Sequence, residues 1–108
     1  MATSYTWERL GAAVKDLATL DESLRKRLEW IKGQHIVILQ AEDFHDDLQS
    51  PFLSIKERLE KIDILDDEDL RQLAKDVVEL TWEIWTRYPT GTDEPEHLKK
   101  LKKAGYIP

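Results

Sequence analysis

Apolar residues recur along this chain at intervals of three and four, and short polar stretches interrupt them. Trp7, Leu10, Val14 and Leu17 are spaced three, four and three apart, which puts them on one face of a helix over residues 5–18. Gly11 inside that helix costs about 1 kcal/mol against alanine, so the position points to close approach by another helix. Thr19 and Glu22 have the spacing of a capping box and predict a second helix opening near Leu20. Its stripe is Leu24, Leu28, Ile31, His35 and Ile38. Residues 36–39 are apolar on every side. With no second strand to pair with them, they read as a helix end buried on several sides.

A third stripe follows the charged stretch 41–47: Leu48, Phe52, Ile55, Leu59 and Ile62. Ser50 and Pro51 suit the cap and first position of a helix. The pattern therefore predicts a helical turn over 44–49, joined at a kink to a helix over 51–62. Asp66 and Asp67 open a fourth helix, where the macrodipole favours acids. Leu70, Leu73, Val77, Leu80 and Ile84 form its inner face, and it ends near Tyr88, before Pro89. A short last helix is predicted from Asp93 to the stop at Gly105, with Leu98 and Leu101 as its apolar positions. The expected fold is all-α: a small antiparallel bundle of about four main helices plus a short C-terminal helix, spanning residues 1–108 as one domain.

Composition narrows the chemistry. The 108 residues contain no cysteine, which removes disulfides, thiol catalysis and thiolate metal sites. No apolar run approaches the roughly 20 residues that span a bilayer, so no membrane role is expected. The first nine residues are too polar for a signal peptide. The expectation is a soluble, acidic, cytoplasmic protein. Its net charge of −6 argues against nucleic-acid binding, although Lys99, Lys100, Lys102 and Lys103 form a small basic patch. The acids at 42–47 and 63–69 also allow an acidic inhibitor or mimic directed at a nucleic-acid-acting enzyme. Without a glycine at its sixth position, the run from Asp63 to Asp69 does not make a calcium loop. No phosphate loop or nucleophile motif occurs, so no catalytic residues are assigned.

Two histidines carry the ligand-binding alternative. His35 lies on an apolar stripe, where each imidazole nitrogen needs a partner. Glu42 and His45 form a single Glu-x-x-His, the spacing that di-iron bundles use twice with two further glutamates. One copy falls short of that ligand set, so no cofactor or metal is expected. The alternative is instead a ligand- or metal-binding bundle centred on His35, with Glu42 and His45 nearby.

The tryptophans carry the preferred reading. Trp82 projects about 140° from the buried direction of its helix, taking 100° per residue. It shares that outer surface with Lys75, Glu79 and Thr86, while Trp30 and Trp85 lie at stripe edges. A large aromatic turned outward needs a cover, either the C-terminal helix or a protein interface. Trp82, Trp85 and Trp30, with Ile36, Val37 and Leu39, are the candidate interface residues. They point to a non-enzymatic protein working through protein–protein contact, as a homodimer.

The series Trp7, Leu10, Ala13, Val14, Leu17, then Leu24 and Leu28, then Glu42-Asp43-Phe44 resembles small uncharacterised bacterial helical proteins over about the first half of the chain. That resemblance implies a helical fold and no particular activity.

Overall fold

The structure, a computed structural model, describes residues 4–87. The short helix expected over 93–105 therefore lies outside the described residues. Four α-helices make the bundle: α1 (Ser4–Thr19), α2 (Leu24–Ile31), α3 (Asp46–Glu60) and α4 (Asp67–Arg87). Shorter turns join them: a π turn over Lys32–Ile36 and 3-10 turns over Ala41–Asp43 and Ile62–Ile64. There is no strand among the described residues, and none of their helices is long and apolar enough to cross a membrane.

Cross-helix contacts set the directions. Trp85 near the end of α4 reaches Trp7 near the start of α1. Arg58 late in α3 pairs with Asp76 in the first half of α4 at 2.7 Å. Asp16 late in α1 bonds Trp30, while Arg9, further back, bonds the later His35. Successive helices thus run antiparallel, and α4 packs against the other three.

All five expected positions of α4 are buried, as are all five of the third stripe, from Leu48 to Ile62. Phe44 and Phe52 stack within the core, with ring centroids 4.2 Å apart. Basic side chains satisfy carbonyls where helices end and the chain turns. Arg27 donates to the Leu17 carbonyl and Lys56 to that of Leu39, at 2.8 and 2.9 Å. Arg25 donates to the carbonyls of both Ile62 and Leu65. At the start of α4, Asp66 caps the helix by accepting from the Asp69 amide at 2.8 Å.

Three sequence expectations change. The Thr19–Glu22 box does not form, because the Leu20 amide still bonds to Asp16 and extends α1. Thr19 turns back to donate to the Lys15 carbonyl, and Ser23 caps α2 instead, accepting from the Lys26 amide at 3.2 Å. Next, α3 is one helix through Pro51 rather than two pieces, and Ser50 is not its cap. It starts at Asp46, with Asp46 and Asp47 in the first turn, where their charge suits the dipole.

The third change concerns the α2 stripe. At Lys32–Ile36 the backbone widens to a π turn, closed by the Val37 amide on the Lys32 carbonyl at 2.9 Å. One extra residue enters that turn, so the buried stripe passes from Ile31 to Ile36 and then to Leu39. Ile38, which a constant helical period assigns to the stripe, is instead 45% exposed. Ile36 and Leu39 are core residues at 2% and 0% exposure and cannot present an interface, whereas Val37 remains half exposed.

Candidate functional site

The π turn brings His35 inward against α1. Its side chain is buried, and both ring nitrogens have partners. Arg9 approaches Nδ1 at 3.3 Å; a guanidinium only donates, so Nδ1 is the acceptor and the proton sits on Nε2. Nε2 then donates to Asp16 Oδ2 at 2.7 Å, and the Trp30 indole donates to the same oxygen at 3.1 Å. Arg9 also lies over the Tyr5 ring, 5.4 Å from its centroid. The bond from His35 is the largest influence holding the Asp16 carboxyl below the usual aspartate range. Partial burial opposes it, and the Trp30 bond adds to it.

This arrangement leaves no lone pair on His35 for a substrate or a metal. It ties the exposed Trp30 and the π turn to α1. Because the Asp16 carboxyl titrates lower in the folded chain than in the unfolded one, it stabilises the fold above the unfolded value, near pH 4, and the contribution is lost as pH falls through the folded value. Asp16→Asn is therefore expected to lower the melting temperature at neutral pH, with the gap to wild type closing below about pH 4. Thermal melts from neutral pH to pH 3 test this; a constant gap would show that the carboxylate's charge is not what holds His35.

Glu42, His45 and His35 do not come together as a group that could hold a metal. The 3-10 turn ends at Asp43, and Phe44 and His45 are extended (ψ near 153° at both), so the two side chains do not share a helix face. They line a shallow surface depression with Asp46, Asp47 and Gln49. Among the described residues no group of three or more histidines and carboxylates has the arrangement to hold a metal.

The aromatic residues of α1 and α4 form a different kind of site. Trp85 stacks on Trp7 at 4.3 Å and 16°, and its indole donates to the Trp7 carbonyl at 3.2 Å. Its ring lies over Gly11, where a Cβ would come within 2.6 Å of Trp85 Cζ2. The glycine is thus needed for the close approach expected from sequence, and the approaching group is an indole. Beside this stack, Gly11, Val14, Val78, Thr81, Trp82 and Trp85 line an apolar groove of about 240 Å³. That is below the roughly 300–1,000 Å³ of ligand pockets, and the groove lacks converging polar groups. Trp82 stands 66% exposed on the ridge between this groove and a second one of about 460 Å³ between α3 and α4. Val78 beside it is 44% exposed and Trp85 40%.

Sequence reasoning did not find Arg9 and Asp16 as partners of His35, since neither lies near it in the chain. It also passed over Val78, which a helical wheel places on the Trp82 side. Compared with protein-family models, curated proteins and solved structures, the chain matches none.

Proposed function

We propose that this protein works through protein–protein contact at the outer face of α4, without chemistry of its own. The observation that carries the reading is Trp82: a large aromatic, two-thirds exposed, contiguous with exposed Val78 and Trp85 and flanked by grooves. An apolar cluster of this kind with a charged surround is the composition of an interface centre. Trp30 and the Val37–Ile38 pair are also exposed but more scattered, and the Trp30 indole is held by Asp16.

Two observations weigh against the other readings. A ligand site at His35 lacks a free ring nitrogen. For the acidic-mimic reading, several acids already have structural work: Asp43 accepts from the Gln40 amide, and Asp66 caps α4. The contact reading is tested with a photo-crosslinking amino acid at Val78 and, as control, at the equally exposed Leu53 on α3. Crosslinked product is expected from position 78 and not from 53; its absence at 78 in the source cell and in the purified protein would refute the reading.

A further inference from the structure

The segment after Ile31 carries two apolar phases, and the fold uses one of them. A helix continued at 100° per residue brings Ile38 within about 20° of the direction of Ile31 and leaves Ile36 about 140° away. The π turn reverses that choice, with Ile36 2% exposed and Ile38 45%. One isoleucine is exchanged for another, so the apolar terms of the two windings nearly cancel. Leu39 follows the helical stretch, and Lys56 holds its carbonyl through a long flexible stem that can follow either winding. Gly33 and Gln34 are exposed, and a Cβ added at Gly33 would meet nothing within 4 Å, so no neighbour blocks re-winding there.

What separates the two windings is polar. The i→i+5 turn is the rare form, and the regular α period is the default. Against that default stand the bonds of His35, which sits inside the turn. Its Nε2 donates to Asp16 at 2.7 Å, and Arg9 donates to its Nδ1 at 3.3 Å. Both partners belong to α1, and bonds to charged groups are the strong class. Re-winding to an α turn rotates the imidazole away from α1 and gives up both.

We infer that residues 32–38 are a two-register element: the Arg9–His35–Asp16 bonds hold the π winding, and their loss lets the segment re-wind as α-helix with Ile38 in the core in place of Ile36. The exposed pair then changes from Val37 and Ile38 to Ile36 and Val37. A molecule that takes Asp16 or Arg9 from His35 would thereby change which isoleucine faces solvent. None of these residues lies on α4, so the contact reading there stands or falls separately.

The chain has no cysteine, so one introduced thiol reports its own position, and cysteine is itself a small apolar residue that a core accepts. Ile36→Cys and Ile38→Cys are made singly in three backgrounds: otherwise wild type, Asp16→Ala and His35→Leu. Labelling rates with a thiol reagent are measured in native buffer, with circular dichroism as the check on folding. In the wild-type background the thiol at 38 should react roughly tenfold or more faster than that at 36. In the Asp16→Ala and His35→Leu backgrounds the order should invert, with helical circular dichroism retained. Removing Gln34 takes out the extra residue, so there the thiol of Ile36→Cys should stay protected with or without Asp16→Ala.

An unchanged order in both substituted backgrounds overturns the inference. Fast labelling at both positions overturns it as well, because the bonds would then close the end of α2 without choosing a register. Loss of helical circular dichroism in both backgrounds does the same, since the bonds would then hold the whole fold. Inversion in the chain lacking Gln34 also overturns it, because the extra residue would not be what the switch uses.

Discussion

Phe52→Ala is expected to destabilise the protein by about 3–5 kcal/mol, the range for emptying a fully buried phenylalanine site. Phe52 is 0% exposed, it stacks on Phe44 at 4.2 Å, and Lys56 lies over its ring, 5.7 Å from the centroid. The truncation removes the transfer energy of the ring and strips Phe44 of its stacking partner. The surrounding helices cannot close the gap, because α3 is tied to α4 by Arg58 and to the α2–α3 connection by Lys56. Against a total stability of roughly 5–15 kcal/mol this is a large fraction. At about 4–8 °C per kcal/mol the melting temperature should fall by well over ten degrees. Leu53→Ala next to it is the control: that side chain is 50% exposed and should change stability by no more than about 0.5 kcal/mol. Equal melts for the two variants would mean that the core is not built around Phe52.

The second large effect is a reversal of sign at Gly11. In an isolated helix, Gly11→Ala would stabilise by about 1 kcal/mol. Here the new methyl meets Trp85 at 2.6 Å, and the indole is held in place by its stack on Trp7 and its bond to the Trp7 carbonyl. Overpacking of this kind costs about 1–3 kcal/mol against a helix gain of about 1, so the variant should be less stable than wild type by up to about 2 kcal/mol. In a Trp85→Ala background the obstruction is gone, and the same Gly11→Ala change should become stabilising by up to about 1 kcal/mol. Denaturant midpoints for the four chains of this double-mutant cycle decide it. If Gly11→Ala has the same sign in both backgrounds, Trp85 is not what the glycine accommodates.

These sites show how far residue order alone carries an argument. The inner faces of α3 and α4 were legible because an unbroken period near 3.6 needs no knowledge of the neighbours, and every residue of both stripes is buried. Gly11 was legible by half: a glycine in mid-helix signals close approach but not what approaches. The α2 stripe failed after His35 because a fixed period has no place for an extra residue, and the chemistry of Gln34 or His35 does not announce a π turn. The engagement of His35 was hidden for another reason: Arg9 and Asp16 are 26 and 19 residues away, and only the packing of α1 on the π turn brings them together. The third helix shows the converse error. Ser50-Pro51 is a good start signal, yet Asp46 and Asp47 already satisfied the helix dipole five residues earlier, and the stripe from Leu48 could be buried without a break.

The π turn also works as a vernier between two lengths of chain. The eight residues of α2 set one angular phase for the buried stripe, and the single added residue advances that phase before the chain leaves for α3. One correction places four side chains together: Ile36 and Leu39 enter the core, while Val37 and Ile38 turn out. The same step aims the imidazole at α1. Sequence change in this segment is therefore gated by count more than by residue type. A conservative replacement at Gln34, which is exposed, alters one contact at most. A one-residue gain between Lys32 and Ile36 would rotate the following segment by about 100° relative to α1, whereas a one-residue loss would return the turn to an α turn and leave Ile36 and Leu39 in phase with Ile31.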